Sequence, residues 1–271
     1  MSVKNEFTQT TVSLDDIDIV IIENQQTTIT SALLSNMAKA NISVVFVDET
    51  YMPSAISIGL YKNSRAVKVQ KAQLVLSKPK KNRLWQEIIK TKVHHQALVL
   101  GSHDTNEYLY ALVNKVQSAD KTYIESIAAS YYFKALFGKD FARQDEFDAR
   151  NGALNYGYSI FRSAIARYIV AYGLNPAFGI WHSSELNAFN LADDLLEPSR
   201  PIVDRFVGQN FKKNTKLTSQ IKQELVSLLF TQVIDGFGKK VLLKDAMKSL
   251  VASYQSICLG KKENLELFMQ L

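Results

Sequence analysis

The first seventy residues contain short β-branched runs separated by turn-forming residues, which is the pattern of strands. Residues 18–22, 42–47 and 56–60 are such runs, each bounded by Asn, Asp, Pro or Gly, and their lengths suit the strands of a small sheet. Between the first two runs, residues 28–40 carry apolar side chains at helical spacing behind threonine N-cap candidates. One helix is therefore predicted to interrupt a small N-terminal sheet.

From about residue 71 onward, apolar residues recur with a period of about 3.6, which is typical of helices. Helices are predicted over residues 105–116, 120–137, 151–171, 188–207, 218–233 and 243–258. Glycines within residues 151–158 indicate that another helix packs closely there. The pattern changes near residues 65–72, so we predict an α+β fold with a small β-rich domain, residues 1–70, and a larger all-α domain, residues 71–271.

The composition is that of a globular protein. The 271 residues include 46% hydrophobic and 21% charged side chains and one cysteine, Cys258, and this length is enough to bury a sizeable core. One cysteine forms no disulfide within the chain, and residues 1–9 lack the apolar core of a secretory signal, so a reducing, cytoplasmic location is expected. No run of about 18 apolar residues occurs, so no membrane-spanning helix is predicted.

The net charge of +6 favours an anionic partner without identifying one. Basic clusters at residues 78–83 and 212–216 lie between predicted helices. Each cluster alone is typical of a solvated loop or helix end, whereas several in one chain favour a surface that follows a phosphate backbone. Lys212, Lys213 and Lys216 are the candidate DNA contacts.

Carboxylates and amides are concentrated in residues 187–205. Wound as a helix, this stretch presents four polar side chains near one another on a face away from its core stripe. They are Asn190, Asp194, Glu197 and Asp204. Close carboxylates repel and need a cation, either arginines such as Arg200 or a hard divalent ion such as Mg²⁺ or Mn²⁺. Spacing alone does not distinguish such a metal site from a surface face of Arg–carboxylate pairs.

His182 precedes this predicted helix. On one straight helix it would be about 22 Å from Glu197 along the axis, at 1.5 Å per residue, which is too far to share an ion. A shared site therefore requires a loop, and Gly179 and the serines at 183–184 allow the chain to leave helical geometry. The alternative is a histidine packed beside Trp181 in the interior, which the residue pattern alone favours.

Glu125 has Ala128, Ala129 and Tyr132 as helical neighbours, so it is predicted to lie on a largely apolar face. A buried carboxylate is costly unless it is paired or bound to a metal. Glu125 is accordingly either a metal ligand or the partner of an arginine such as Arg162.

Three motifs follow one another along the chain: IESIAASYYFKALFG, NGALNYGYSIFRSAIAR and GIWHSSELNAFNLADDLLEPSRPIVDRFV. In this order they resemble the CRISPR-associated Cas-one integrase family of the adaptation module, and LNYGY with EPxRPxVD is similar to its type II branch. The resemblance covers most of the chain and is strongest over residues 120–207. It implies an N-terminal β domain, a C-terminal helical catalytic domain, a homodimer, and assembly around a small Cas-two dimer.

The resemblance also implies a metal-binding catalytic triad, whose members fall by motif on Glu125, His182 and Glu197. Asp193 and Asp194 lie beside these positions without matching them and, with Arg200, are auxiliary candidates. The implied reaction uses Mg²⁺ or Mn²⁺ to join the 3′-hydroxyl ends of a short captured double-stranded DNA to a repeat phosphodiester. A hydrolytic DNA nuclease and a non-catalytic DNA-binding scaffold are the alternatives.

The chain departs from the family pattern at its start. Members usually begin with a further strand-forming segment ahead of the stretch VSLDDIDIVIIEN, whereas this chain starts with MSVKNE. The comparison of the two patterns implies an incomplete opening hairpin.

Overall fold

The computed structural model describes residues 1–4, 8–49, 52–59, 63–101 and 103–270, apart from the side chains of residues 103–105 and 270. The strands are β1 (Ser2–Lys4), β2 (Gln9–Thr11), β3 (Ile19–Ile22), β4 (Ser43–Val47), β5 (Pro53–Ser57), β6 (Gln232–Ile234), β7 (Lys240–Leu242) and β8 (Met269–Gln270). The helices are α1 (Ser31–Lys39), α2 (Ala66–Leu74), α3 (Lys78–Leu100), α4 (His103–Val113), α5 (Ile124–Phe137), α6 (Ala149–Ala171), α7 (Asn190–Leu196), α8 (Arg200–Asn210), α9 (Ser219–Ser227) and α10 (Leu243–Cys258). Within these ranges, no helix is long and apolar enough to cross a membrane.

The N-terminal strands form two separate sheets. β1 and β2 make an exposed antiparallel hairpin. The second sheet has the order β3-β4-β5, with β3 parallel and β5 antiparallel to β4. α1 connects β3 to β4, and its Met37 packs with Ile42 and Val44 in a small core. The helix begins after Thr30, whose side chain accepts a hydrogen bond from the Leu33 N–H at 3.2 Å, as expected for an N-cap.

The predicted strands at residues 18–22 and 42–47 and the predicted helix at 28–40 are confirmed. The third strand lies at Pro53–Ser57 rather than residues 56–60, and residue 60 is outside the described residues. Between β4 and β5, the Asp48 N–H donates to the Met52 carbonyl oxygen and the Met52 N–H donates to Asp48 Oδ1, both at 2.9 Å.

The large core belongs to the helical part. α3 packs against α4, α5 and α8, and α6 packs against α7, α8, α9 and α10. A Cβ at Gly157 of α6 would lie 2.5 Å from Val203 Cγ1 of α8, so α8 contacts α6 where only a hydrogen atom fits. This contact confirms the close helix packing predicted for residues 151–158, although Gly152 has open space beside it.

The helix predicted over residues 188–207 is broken in the structure. α7 ends at Leu196, a 3₁₀ turn occupies Glu197–Ser199, and α8 begins at Arg200. Pro198 and Pro201 lack N–H donors, and proline is favoured in the first turn of a helix. Glu197 therefore lies at a break and not within a straight helix.

Other helix limits also differ from the prediction. α5 begins at Ile124 rather than at residue 120, and α9 ends at Ser227 rather than at residue 233. Beyond α9, β6 pairs with β7 and β8 in an antiparallel sheet. The α+β class is confirmed, but the part predicted as all-α contains this small sheet. Strands of two or three residues are too short to show an alternating pattern.

Partly buried ion pairs connect the strand-rich part to the helices. Arg167 of α6 and Lys244 of α10 contact opposite oxygens of Asp18, at 2.8 and 2.6 Å. Lys222 of α9 lies 3.0 Å from Glu23. The change from strands to helices takes place before α2, which starts ahead of the residue 71 chosen from the sequence.

Candidate active site

Glu125 stands in the first turn of α5. The Asp120 side chain accepts hydrogen bonds from the backbone N–H groups of Ile124 and Glu125, at 2.9 and 3.0 Å, and so satisfies donors that the helix leaves free. This bonding starts α5 one residue ahead of Glu125. The Glu125 side chain is 29% exposed and lies at the border between the core and solvent.

Glu197 is buried in the turn between α7 and α8. His95 of α3 holds this turn, with its Nδ1 2.7 Å from the Pro198 carbonyl oxygen. Burial lowers the pKa of His95 to about 4, so its neutral ring donates through Nδ1. Arg200 Nε donates to Glu197 Oε1 at 2.9 Å. His95 thus fixes the backbone of the turn, and Arg200 fixes the carboxylate.

Lys92 of α3 joins the two carboxylates. Its Nζ is 2.7 Å from Glu125 Oε1 and 2.5 Å from Glu197 Oε2, in a buried position. Burial lowers the pKa of Lys92, but the negative charges of Glu197 and Glu125 outweigh burial and raise it. Burial similarly raises the pKa of Glu197, whereas the charges of Arg200 and Lys92 bring it to about 2. Lys92 and Glu197 are therefore both charged at neutral pH.

His182 lies on the loop between α6 and α7, as the shared-site hypothesis required. Remote side chains hold this loop in place. Gln73 of α2 donates to two loop carbonyl groups and accepts a loop N–H, and Asn190 of α7 donates to three others. Lys81 of α3 donates to the Gly179 carbonyl at 3.1 Å. The loop is consequently a fixed part of the site.

Asp194 of α7 orients the imidazole. Its fully buried carboxylate accepts the backbone N–H groups of Ile180, Trp181 and His182, at 2.6, 2.9 and 3.2 Å. His182 Nδ1 is 2.6 Å from Asp194 Oδ1, and this hydrogen bond raises the pKa of His182. Because the carboxylate accepts, Nδ1 carries the proton and Nε2 is the ring nitrogen left for a ligand.

The loop approaches Asp194 too closely for a side chain at Gly179. A Cβ there would be 2.7 Å from Asp194 Oδ2 and 2.2 Å from the His182 carbonyl oxygen. On the other side, buried Trp85 of α3 stacks on Trp181 and meets His182 edge-on, with centroids 5.6 Å apart in both pairs. The His182 side chain nevertheless remains 45% exposed, so the interpretation of His182 as an interior histidine is wrong.

The four polar residues predicted on one helical face are buried but bind different partners. Asn190 and Asp194 hold the loop, Glu197 pairs with Lys92 and Arg200, and Asp204 accepts a hydrogen bond from the Tyr158 hydroxyl. The alternative of a solvent-facing set of ion pairs is therefore wrong. So is a single cluster of these four residues.

Two other predicted positions have definite partners. Asp193 lies 2.8 Å from Arg162, so the predicted pairing of Arg162 with Glu125 is wrong. Lys212, Lys213 and Lys216 lie in the exposed loop between α8 and α9, where Lys213 contacts Asp145 at 3.2 Å.

The chemical types of the three candidate ligands suit a hard divalent ion, although their side chains do not converge on one point in the structure. Glu125 and Glu197 already share one cation, the Lys92 ammonium, and both carboxylates lie near enough to His182 for their charges to raise its pKa. Two carboxylates and an imidazole are ligands that Mg²⁺ and Mn²⁺ accept. As the side chains stand, Lys92 Nζ occupies the position between the carboxylates. In the part of the chain that the structure describes, no three His, Cys, Asp or Glu side chains converge closely enough to hold an ion.

The residue that sequence reasoning missed is Lys92. It falls at helical spacing from Ile88, Ile89 and Gln96 on the buried face of α3, and a charged residue on such a face signals a buried partner. The contact of the basic cluster 78–83 with the His182 loop was also missed, since nothing in the local pattern relates segments a hundred residues apart.

Comparison with known proteins identifies the family. A family model described as CRISPR associated protein Cas1 matches residues 1–233. CRISPR-associated endonuclease Cas1 of Neisseria meningitidis is 41% identical over 229 residues, which are 82% of this chain and 75% of that protein. CRISPR-associated endonuclease Cas1 2 of Saccharolobus solfataricus is 29% identical over 212 residues, 76% of this chain and 68% of that protein.

Solved structures share the fold. A casposase bound to integration product has a TM-score of 0.78 at 22% identity, covering 96% of this chain and 84% of that chain. A Cas1 protein from Thermotoga maritima has a TM-score of 0.75 at 13% identity, with 96% and 92% covered. On the family match and the 41% identity together, the chain belongs to the Cas1 family of CRISPR-associated proteins.

Proposed function

We propose that this protein is a metal-dependent DNA integrase that inserts short captured DNA into a CRISPR array. In the proposed reaction, a 3′-hydroxyl of the captured DNA attacks a phosphodiester of the repeat and displaces a 3′-oxygen. The observation that carries the proposal is the pair of carboxylates, Glu125 and Glu197, held on one cation next to a half-exposed histidine in a member of the Cas1 family.

Glu125, His182 and Glu197 are the proposed ligands of Mg²⁺ or Mn²⁺. When bound, such an ion activates the attacking hydroxyl and stabilises negative charge on the phosphate and the leaving oxygen. The protein contributes the orientation of these groups. Asp194 directs the imidazole and keeps its proton on Nδ1, and Arg200 keeps the Glu197 carboxylate ionised.

Positive charge beside the His182 loop supports a phosphate-bearing substrate. Lys78 Nζ lies 5.4 Å from the centroid of the Trp181 ring, and Lys81 bonds to the loop backbone. Both residues belong to the first turn of α3. Cations so close to the site favour DNA bound through its backbone, with little readout of sequence. Lys212, Lys213 and Lys216 are proposed to extend this contact.

The proposed partners are double-stranded DNA, a second copy of the chain and a small Cas2 protein. A solved Cas6-RT-Cas1–Cas2 complex shares the fold, with a TM-score of 0.76 at 18% identity over 100% of this chain and 34% of that chain. That structure contains Cas2 as its own partner, and we extend the partnership to this chain on family membership.

The test is strand transfer with purified protein, a candidate Cas2 partner, Mn²⁺ or Mg²⁺, and a repeat-containing target. Donor DNA with free 3′-hydroxyl ends should give joined product, whereas the same donor ending in a dideoxy nucleotide should give none. An integrase must orient that hydroxyl for attack, while a nuclease that activates water does not need it. Target cleavage at equal rates with both donors, without joined product, would establish a hydrolytic nuclease instead.

A further inference from the structure

Lys92 occupies the position between the proposed metal ligands, and the proposed metal site does not explain it. The ammonium lies within 2.7 Å of oxygens from two carboxylates that belong to different elements, the start of α5 and the α7–α8 turn. Two carboxylates brought together need a neutralising cation. In the described structure, Lys92 supplies that cation from the middle of a third element, α3.

The contact between Lys92 and Glu197 joins two ionised groups. Glu197 Oε1 accepts a hydrogen bond from Arg200. Glu197 Oε2 is buried and meets Lys92 Nζ at 2.5 Å. A contact of this kind is replaceable by another cation of suitable size, since its strength is mainly Coulombic.

A route for the lysine to leave exists on the Glu125 side. The Glu125 side chain is 29% exposed, against 5% for Glu197, so the pair opens to solvent there. Lysine carries its charge on a flexible four-carbon stem, and rotation of that stem moves the ammonium without moving α3.

We propose that the Lys92 ammonium is a resident counterion, and that a divalent ion binds Glu125 and Glu197 by displacing it. The inference rests on the metal site of the proposed function. Lys92 keeps the two carboxylates together when no ion is bound and lowers the affinity of the DNA-free protein for the ion. It is a positioning residue whose effect is exerted through the two glutamates.

The first experiment measures Mn²⁺ binding to the DNA-free protein by electron paramagnetic resonance. Lys92→Met removes the charge and keeps the length of the stem, and removing a unit charge at this distance should tighten Mn²⁺ binding by about tenfold. Lys222→Met is the matched control, because Lys222 is equally buried and paired with Glu23 in another region. It should leave the Mn²⁺ affinity unchanged.

The second experiment separates displacement from simple charge repulsion and needs no variant. The native protein is treated with an amine-reactive reagent with and without saturating Mg²⁺, and modification of each lysine is measured by mass spectrometry. Lys92 should be protected without Mg²⁺ and modified several-fold faster with it, while Lys222 stays protected in both conditions. Protection of Lys92 in saturating Mg²⁺ would overturn the proposal even if Lys92→Met binds Mn²⁺ more tightly.

The outcomes also distinguish this inference from the proposed function. Equal Mn²⁺ affinity of the native protein and a folded Lys92→Met variant would overturn the counterion role and leave the metal site intact. Absence of Mn²⁺ binding in both proteins would overturn the metal site itself, and the counterion role with it.

Discussion

The two halves of the candidate site are built in different ways. The carboxylate half consists of side chains on packed helices and a buried turn, where Glu125 and Glu197 meet Lys92 and Arg200. The imidazole half is a loop held by hydrogen bonds from remote side chains, with His182 almost half exposed. In the first half, charges compensate one another inside the core, so function and stability are coupled. In the second half, the functional group contributes little to the core.

The largest expected effect is in the carboxylate half. Glu197→Gln should abolish joined product and also destabilise the protein by about 3–5 kcal/mol, because it removes the charge that Arg200 contacts and leaves Lys92 with Glu125 alone. Strand-transfer assays and urea unfolding measure the two effects. Glu263→Gln, which removes the exposed partner of Lys80, should change neither. A stable, fully active Glu197→Gln protein would refute the coupling.

The imidazole half should separate function from stability. His182→Ala should abolish strand transfer while changing the free energy of unfolding by about 1 kcal/mol or less, since the side chain lies on an exposed loop. Ser183→Ala, at the next exposed position of the loop, should keep full activity. Unfolding of the His182→Ala protein, with normal activity in its folded fraction, would show that His182 is structural.

Asp194→Asn tests the support of the imidazole. In the native protein the Asp194 carboxylate accepts hydrogen bonds from three backbone N–H groups and from His182 Nδ1. The asparagine NH₂ group cannot accept these bonds, so the His182 ring loses the charged acceptor that fixes its proton. Loss of such an outer partner lowers metal affinity or activity by about 10- to 100-fold. Asp193→Asn is the matched control, because the neighbouring Asp193 contacts Arg162 instead. An equal loss of metal affinity or activity in the two variants would contradict the proposed role of Asp194 in orienting His182.

The buried carboxylate of Asp204 should make the free energy of unfolding depend on pH. Burial raises the pKa of Asp204 to about 6, against the lowering effect of its hydrogen bond from Tyr158. The native state therefore holds this proton more tightly than the unfolded chain, whose pKa is near 3.8. The contribution of protonated Asp204 to the free energy of unfolding is therefore fully present below about pH 4 and is lost as the pH rises through about 6.

Asp204→Asn keeps an acceptor for Tyr158 and removes the titration. Relative to the native protein, the variant should gain stability from pH 4 to pH 7, by at most about 3 kcal/mol for two pKa units. Urea unfolding at several pH values checks this difference. Parallel stability curves would show that Asp204 titrates normally.

The smallest effect is expected outside both halves. Replacing Lys212, Lys213 and Lys216 together by Gln should weaken DNA binding across unrelated sequences. It should also reduce the slope of log affinity against log salt by about one for each lost phosphate contact. Fluorescence anisotropy over a salt series measures both changes. An unchanged slope would mean that this loop is only solvated surface.

Local pattern was sufficient where neighbours in the sequence are also neighbours in space. Strands β3 and β4, the capped helix after Thr30 and the helix at residues 243–258 depend on periodicity and capping within one segment. The helix over 188–207 was predicted as continuous because its apolar period continues across Pro198 and Pro201, although the two prolines signal an interruption in the sequence itself.

The sequence by itself determined the order of a strand-rich part and a helical part, the family through its motifs, and the residue types of the proposed site. Only the tertiary structure decided what those residues contact. In the folded protein, Lys92 lies between two glutamates and Arg162 pairs with Asp193. Three backbone N–H groups of the loop donate hydrogen bonds to Asp194. The physical reason is that periodicity and capping act within a few residues, whereas the pairing of buried charges depends on which segments the packing of the core brings together.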